Sequence, residues 1–294
     1  MNALRAMAGG LICCGLVFAA APARAKLIED IIDLPVRVTT VTGAVVEQAI
    51  KVTIFRDDAR AKGPFLFINH GRAGAAEERA ALGRARFGAP ARFFVSLGFV
   101  VLAPTRIGYG VSGGPDVEFS GRCDARNYTP VYEAAAQQTL RVIEHAKTLS
   151  YVDVRNGVVL GQSFGGATAL AVAAKNIPGV KAAVNFAGGG GGNPKARPAD
   201  PCSPDRLLVL FAGYGATAKI PTLWLYSEND LYFGVEKPRR WFDAFRAKGG
   251  QGEFVTLPPF AEDGHRSFTG NPDAWRSMVE AFLRKAMGGA LTKP

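Results

Sequence analysis

The chain has 294 residues, of which 48% are hydrophobic and 20% charged, and its formal net charge is +10. This composition excludes a wholly disordered chain, and the lack of any apolar run of about 18 residues excludes a polytopic membrane protein. The basic residues are scattered and form no block, basic helix or zinc-finger spacing, so no nucleic-acid partner is expected. The sequence therefore predicts a soluble globular protein with a large core.

Residues 1–25 have the layout of a cleaved signal peptide. Arg5 gives a positive start, an apolar run follows, and residues 23–25 read Ala-Arg-Ala, which fits a small-x-small cleavage site. An uncleaved anchor helix and a lipoprotein attached at Cys14 are the alternatives. We predict export to the periplasm or the medium, with residues 26–294 as one domain that has no stable membrane association after cleavage.

The rest of the chain alternates between strand and helix patterns. The predicted strands are Val36–Val41, Ile50–Phe55, Pro64–Asn69, Phe99–Ala103, Gly157–Leu160, Val180–Phe186, Pro221–Tyr226 and Phe254–Leu257. The predicted helices are Glu77–Leu97, Val131–Leu149, Phe164–Lys175, Arg206–Ala212, Lys237–Lys248 and Pro272–Met287. We expect Pro90 to break or restart the first helix and Pro104 to end the fourth strand. The alternation predicts an α/β fold with a mostly parallel sheet and helices on both faces.

Two cysteines, Cys123 and Cys202, follow the signal peptide. In an oxidising compartment two thiols most simply pair, and both lie in polar stretches rich in glycine or proline. A disulfide here would join two long loops and stabilise the fold by about 4 kcal/mol. Two unpaired thiols are the alternative. A zinc site is not expected, because no Cys or His stands at ligand spacing near either one.

The pattern Gly-x-Ser-x-Gly occurs twice, around Ser112 and around Ser163. Ser163 stands between an apolar strand and a helix-forming run, where a sharp turn can present a nucleophile. Ser112 lies in a segment rich in glycine and proline that is typical of a loop. We predict that Ser163 is the nucleophile, and a helix N-cap role is its alternative.

A serine nucleophile needs a general base, and the chain has three histidines. His145 lies within a helix among charged residues, and His70 ends a strand. His265 lies in the loop before the final helix, at the carboxyl end of the sheet, where functional groups gather in parallel α/β folds. We predict His265 as the base and Asp230 as the acid that orients it, with Glu228 as the alternative acid.

The oxyanion of the tetrahedral intermediate needs hydrogen-bond donors. One predicted donor is the backbone N–H of Phe164, directly after the nucleophile. The other is the backbone N–H of Arg72, because Gly71 allows close approach of the main chain after a strand. The alternative is that His70 and Gly71 form only a turn.

Several of these motifs together resemble the α/β-hydrolase superfamily. The matching segments are Asn69-His70-Gly71, Thr105–Gly110, Gly161–Gly166, Ser227–Asp230 and Gly264-His265. The chain is most similar to exported relatives of dienelactone hydrolases and to the catalytic domain of prolyl-oligopeptidase-type enzymes, although dienelactone hydrolases use cysteine where this chain has Ser163. The resemblance implies the α/β-hydrolase fold with about eight strands, a Ser-His-Asp triad, and no cofactor or metal.

These features predict a serine hydrolase that cleaves small-molecule carboxylic esters. A peptidase or amidase of the prolyl-oligopeptidase type is the first alternative, and a non-catalytic binding protein on the same fold is the second. The segment 188–198 with Cys202 predicts a small loop-type cap in place of a helical lid. The predicted substrate-pocket residues are His70, Gly71, Arg106, Tyr109 and Tyr232. Arginines in these loops are compatible with an anionic ester and equally with a solvated surface; the oligomeric state stays open.

Overall fold

The computed structural model describes residues 26–291, so the predicted signal peptide lies outside the described residues. Within that range the strands are β1 (Leu27–Thr39), β2 (Val45–Asp57), β3 (Gly63–Asn69), β4 (Val100–Thr105), β5 (Val152–Gln162), β6 (Val180–Phe186), β7 (Thr222–Ser227) and β8 (Gly252–Leu257). The α-helices are α1 (Ala76–Ala80), α2 (Gly88–Ser96), α3 (Tyr128–Ala146), α4 (Phe164–Ala173), α5 (Pro204–Thr217), α6 (Glu236–Ala247), α7 (Ser267–Gly270) and α8 (Arg276–Met287).

All of these strands form one sheet in the order β1-β2-β4-β3-β5-β6-β7-β8. β1 and β2 form an antiparallel hairpin, and β2 also runs antiparallel to β4. Every remaining pair, from β4–β3 to β7–β8, is parallel. The predicted eight-stranded, mostly parallel sheet is therefore confirmed. Because parallel strands end at the same edge, the loops after β3, β5, β7 and β8 meet there.

Helices cover both faces of the sheet, as predicted. Alternate residues of β3 point into two different apolar clusters, with Phe67 in one and Leu66 in the other. The cluster around Leu66 packs against α2 and α8 and contains Trp275, whereas the other cluster packs against α3, α4, α5 and α6. β3 and β4 are buried along their whole length, which explains their continuous apolar sequence. In the described part of the chain, no helix combines the length and apolarity needed to cross a bilayer.

The helix predicted over residues 77–97 is two helices, and Pro90 lies where the second one starts and not at the break itself. Pro90 is the third residue of α2, within the first turn, where its missing N–H removes no intrahelical hydrogen bond. The break lies at residues 81–87 and ends at Phe87, which has the left-handed φ of 52°. Proline in a first turn starts a helix as readily as it interrupts one.

Pro104 does not end β4, which continues to Thr105. β4 pairs with β3 only as far as Leu102, whereas its pairing with β2 continues through Pro104 and Thr105. Pro104 therefore has a strand neighbour on one side, which resembles the edge positions where proline is tolerated. Helix α5 is also longer than predicted, because Tyr214 packs against the core and Gly215 is buried, so its inward face continues past the expected end at Ala212.

The segment between β6 and α5, residues 187–203, contains no helix and is the small loop-type cap that the sequence predicted. Cys123 and Cys202 lie at disulfide-bonding distance, with 4.8 Å between their Cα atoms. The pair connects the cap to the long loop after β4. The backbone N–H of Cys202 also donates to the carbonyl of Gly191 at 3.0 Å, which closes the cap on itself.

Candidate active site

Ser163 occupies a strained turn between β5 and α4. Its φ is 57° and its ψ is −125°, a combination that costs free energy for a residue with a side chain. A Cβ atom on Gly161 would lie 2.1 Å from the carbonyl oxygen of Gly165, and one on Gly165 would lie 2.1 Å from that of Asn69. The flanking glycines are therefore required by space, and the turn lifts Ser163 out of the end of the strand.

Ser112, in the second Gly-x-Ser-x-Gly motif, has a different environment. It is buried, its hydroxyl donates to the carbonyl of Thr105 at 2.6 Å, and the same oxygen accepts from the backbone N–H of Lys51 at 2.9 Å. Both bonding roles of the hydroxyl are used within the fold. Ser112 thus fastens the loop after β4 to β2 and is unavailable as a nucleophile.

His265 and Asp230 form a buried pair at the carboxyl edge of the sheet. Nδ1 of His265 lies 3.0 Å from Oδ2 of Asp230. The other carboxylate oxygen, Oδ1, accepts hydrogen bonds from the backbone N–H groups of Tyr232 at 2.7 Å and Phe233 at 3.0 Å. The alternative acid, Glu228, is exposed. Asp230 therefore receives three hydrogen bonds that fix its carboxylate, and it is placed to hold one tautomer of the imidazole.

The imidazole of His265 is enclosed by aromatic rings. Tyr232 stacks on it with 4.0 Å between centroids, and Phe233 meets it edge-on at 5.3 Å. The side chain of Gln162, next to Ser163 in sequence, donates to the carbonyl of His265 at 2.7 Å and ties the two segments together. Within residues 26–291 the Ser163 hydroxyl makes no hydrogen bond. Because Nδ1 of His265 is bound to Asp230, Nε2 is the ring nitrogen left for proton transfer.

The loop after β3 lies against the Ser163 side chain. A Cβ atom on Gly71 would be 3.2 Å from Cβ and 3.7 Å from Oγ of Ser163, so glycine keeps this approach open. The carbonyl of Gly71 accepts from Nδ1 of His70 at 2.7 Å and from Arg106 at 3.3 Å. The peptide bond between Gly71 and Arg72 is trans, as are all peptide bonds in the described chain, so the N–H of Arg72 points in the opposite direction from the Gly71 carbonyl. It therefore points away from the side chains of His70 and Arg106.

A buried charge network supports that loop. Arg106 donates to the carbonyl of His70 at 2.7 Å and to Glu118 at 2.6 Å, and Tyr109 donates to the same carboxylate at 2.6 Å. The backbone N–H of Arg106 donates to Nε2 of His70 at 3.0 Å. Burial, together with the nearby guanidinium, holds the pKa of His70 well below its usual range. His70 is therefore neutral and structural.

Arg72 is also neutralised by an acid. Its guanidinium binds Asp116 through two hydrogen bonds of 2.7 and 2.6 Å, and Arg79 approaches the same carboxylate at 3.1 Å. Burial opposes ionisation of Asp116, but the hydrogen bond from Arg72 prevails and holds its pKa below the usual value. Asp116 and Glu118 were not among the residues predicted for the site. The signal was present, because arginines expected to be partly buried need carboxylate partners nearby.

A cavity of about 560 Å³ opens beside Ser163, a size suited to a small molecule. It is lined by aromatic side chains, a glycine run in the cap, and arginines, namely Phe119, Tyr128, Phe164, Tyr232, Phe233, residues 189–192, Arg72, Arg126 and Arg197. Of the five predicted pocket residues, Tyr232 lines this cavity. Gly71 lies against Ser163, whereas His70, Arg106 and Tyr109 are buried and do not line it. They position the loop and do not reach a ligand.

His265 does not line this cavity either, although the ring stacked on it, Tyr232, does. Phe164 is the first residue of α4, so its N–H has no acceptor within the helix and lies beside the cavity. Among the described residues, no group of three or more His, Cys, Asp or Glu side chains is arranged to hold a metal ion. The described residues therefore place a hydroxyl and the free N–H of Phe164 at the cavity, with an imidazole–carboxylate pair tied to the same turn through Gln162.

Comparison with known families gives one match along most of the chain. The profile described as the Alpha/beta hydrolase family matches residues 65–292. A search of curated proteins finds no match.

Solved structures give the same fold. A puromycin-hydrolysing peptidase of Mycobacterium tuberculosis is similar with a TM-score of 0.58 and 16% identity over 87% of this chain, which spans only 39% of that protein. An esterase of Pyrococcus furiosus is similar with a TM-score of 0.54 and 15% identity, covering 87% of this chain and 91% of that one. A Klebsiella pneumoniae protein provisionally described as a dienelactone hydrolase has a TM-score of 0.54 and 20% identity, covering 87% and 99%. At these identities the likeness concerns the fold alone.

Proposed function

This chain belongs to the alpha/beta hydrolase family and is a hydrolase of that type, and from this premise we propose that it is a serine hydrolase of carboxylic esters. Ser163 is the nucleophile, His265 the general base and Asp230 the orienting acid. The observation that carries the proposal is the strained turn at Ser163, which places at the cavity a hydroxyl that makes no hydrogen bond in the described chain. Gln162 ties that turn to the His265–Asp230 pair.

In the proposed reaction, Nε2 of His265 accepts the proton of Ser163 as Oγ attacks the ester carbonyl. The carbonyl oxygen becomes an oxyanion that accepts hydrogen bonds from the backbone N–H groups of Phe164 and Arg72. When the tetrahedral intermediate collapses, the ester C–O bond breaks and the leaving alcohol takes the proton from His265. An acyl-enzyme on Ser163 remains.

Water completes the cycle. His265 accepts one proton of a water molecule as the water oxygen attacks the acyl carbonyl; collapse of the second intermediate then breaks the bond between the acyl carbon and Oγ of Ser163, and Oγ takes that proton from His265. The products are one acid and one alcohol. The Asp230 carboxylate stabilises the imidazolium that forms twice in each turnover.

The test compares the two serines of the repeated motif. We expect Ser163→Ala to abolish turnover of p-nitrophenyl butyrate and to prevent labelling by a fluorophosphonate probe, with the labelled peptide identified by mass spectrometry. Ser112→Ala is the matched control and should retain both activities per folded molecule. Full turnover in the Ser163→Ala protein would refute the proposal, and the absence of any probe reaction in the unaltered protein would favour the binding-protein alternative.

The peptidase alternative is supported by the fold it shares with the puromycin-hydrolysing peptidase. Esters are favoured because their alkoxide leaves more readily than an amine, and because the described cap, residues 187–203, is a short loop. The two are separated by a matched pair of substrates with one acyl group, a p-nitrophenyl ester and the corresponding p-nitroanilide. Faster cleavage of the anilide would reverse the assignment.

We also propose that the protein is exported. Residues 1–25 have the pattern of a signal peptide, and the Cys123–Cys202 pair is compatible with an oxidising compartment. N-terminal sequencing of the protein from its native cells should begin at Lys26. Alkylation without reductant should leave both cysteines unmodified, and recovery of an uncleaved chain with two free thiols would contradict export.

A further inference from the structure

The guanidinium groups around the cavity differ in their partners. Arg72 already has a carboxylate partner, because its guanidinium is bound to Asp116, which also pairs with Arg79. Arg126 and Arg197 also line the cavity, but neither forms an ion pair with any acidic side chain of the described chain. Both contact the Cys123–Cys202 pair, Arg126 from the loop after β4 and Arg197 from the cap.

Arg126 has only weak partners. One terminal nitrogen donates to the hydroxyl of Ser120 at 3.2 Å, and the other lies 3.8 Å from Sγ of Cys202. Its Nε is buried and has no hydrogen-bond partner. A half-buried guanidinium with these contacts is neither fully hydrated nor neutralised, and such a group attracts an anion.

Arg197 is fixed by sulfur. Its two terminal nitrogens contact the sulfurs of Cys123 and Cys202, the latter at 2.6 Å, and one lies 3.5 Å from the carbonyl of Gly191. Sulfur is a weak acceptor that leaves the positive charge uncompensated. The cysteine pair therefore positions a charged group at the cavity without neutralising it.

The neighbouring acids are engaged elsewhere. Asp124 pairs with Arg122, Asp200 with Lys237 and Asp205 with Arg240. None of the described residues that line the cavity is acidic. The cap side of the cavity thus carries guanidinium groups without carboxylate partners, whereas Arg72, on the loop after β3, has one.

We propose that Arg126 and Arg197 form a carboxylate-binding subsite, so that the preferred substrate is an ester that bears an anionic group in addition to the scissile ester bond. This inference rests on the proposed function and specifies its substrate class. An incoming carboxylate would accept charge-assisted hydrogen bonds from both guanidinium groups and supply the missing counter-charge. Phe119 and Tyr128 line the same cavity and leave room for an apolar linker between carboxylate and ester.

The first experiment compares esters that differ only in charge. Mono-p-nitrophenyl esters of succinic, glutaric and adipic acid carry a carboxylate on the acyl side, and p-nitrophenyl butyrate, valerate and hexanoate are their neutral counterparts. A second pair, 3-carboxyphenyl and phenyl butyrate, places the charge on the leaving group. We expect at least one anionic ester to have a kcat/KM about tenfold or more above its neutral partner, and the preference to fall as salt screens the charges.

The second experiment removes the charges one at a time. Arg126→Gln and Arg197→Gln should each lower the anionic-to-neutral ratio about tenfold while the neutral ester changes little. Arg197→Lys keeps a charge near the cysteine pair and should retain more of the preference. Arg122→Gln is the matched control, because Arg122 is exposed, pairs with Asp124 and does not line the cavity. An equal loss with Arg122→Gln would refute the subsite, since net charge alone would then explain the effect.

Binding without turnover separates this inference from the proposed function. Calorimetric titration of the Ser163→Ala protein with glutarate should give a dissociation constant that Arg126→Gln, introduced into the same protein, weakens about tenfold. If the protein hydrolyses neutral esters through Ser163 but shows no charge preference and binds no glutarate, the subsite is refuted and the esterase stands. If glutarate binds but no ester is cleaved, the subsite stands and the esterase fails.

Discussion

The two walls of the cavity treat charge in opposite ways. The catalytic wall, formed by Arg72 at the cavity and by the buried residues 70–71 and 106–118 that support it, contains Arg72 and Arg106, and each meets a carboxylate within 2.6–2.7 Å. The cap wall, formed by residues 120–126 and 189–203, contains Arg126 and Arg197, whose contacts are sulfur, a hydroxyl and a carbonyl.

This contrast separates positioning from recognition. Charges that hold a loop in place must be neutralised inside the fold, because a buried unpaired ion is costly. Charges that await a ligand are left without a partner, because the ligand supplies it. Arginines in a sequence therefore indicate a role only when their acidic partners are known.

The largest expected effect lies at the catalytic pair. Asp230→Asn removes the charge that stabilises the imidazolium and permits the wrong tautomer of His265, so kcat should fall by about four orders of magnitude. Stopped-flow or extended initial-rate assays with p-nitrophenyl butyrate measure this loss. Glu228→Gln, two residues away and exposed, is the control and should leave kcat within about twofold. Equal losses in both variants would remove Asp230 from the catalytic assignment.

The buried ion pair of the catalytic wall comes next. Glu118→Gln leaves the Arg106 guanidinium buried without a counter-ion, so the free energy of unfolding should fall by about 3 kcal/mol or more. Urea titration measures that change. The double variant Arg106→Met with Glu118→Leu should recover most of the stability but not the activity, because the carbonyl of His70 then lacks its donor. Recovery of both would mean that Arg106 has no positioning role.

The cap wall depends on the cysteine pair. Replacing Cys123 and Cys202 together by serine removes a cross-link between positions 79 residues apart in the sequence. The free energy of unfolding should then fall by about 2–4 kcal/mol. The same substitution should lower the preference for anionic esters, because Arg197 loses both sulfur contacts. Reduction of the unaltered protein should reproduce both changes and leave the double variant unaffected. A stability that does not respond to reductant would contradict the cross-link.

The smallest expected effect concerns His70. The folded state holds His70 neutral, whereas its pKa in the unfolded chain is about 6.5, so the unfolded state binds the proton first as the pH falls. The neutral state of His70 therefore stabilises the fold fully above pH 6.5, and below pH 6.5 the free energy of unfolding falls by about 1.4 kcal/mol per pH unit. Gln in place of His70 keeps an acceptor for Arg106 but does not titrate. Urea titration at pH 7.5, 6.5 and 5.5 gives the free energy of unfolding of both proteins, and the difference between them should change with pH as expected for His70. If the two free energies vary with pH in the same way, the prediction is refuted.

Much of the site could be predicted because its signals are local. The glycines around Ser163 are short-range requirements of one turn, and they distinguish it from Ser112 only together with the strand before and the helix after. His265 and Asp230 each follow a strand pattern, and parallel strands bring such loops to one edge.

The pocket was harder to predict. His70, Arg106 and Tyr109 lie in loops that reach the site, but their side chains turn into the core toward Glu118. Loop position gives no information about side-chain direction, because it depends on a partner far along the chain. Arg126 and Arg197 were not selected for the same reason, since their approach to the cavity depends on the folding of the cap over it.

The sequence by itself determined the order of strands and helices, the sharp turn at Ser163 and the residues available for an acid–base pair, because periodicity and glycine spacing act over a few residues. Only the tertiary structure decided which arginines are neutralised and which face the cavity. Ion pairing is a contact between distant segments, so its presence or absence is fixed by packing and not by the neighbouring residues along the chain.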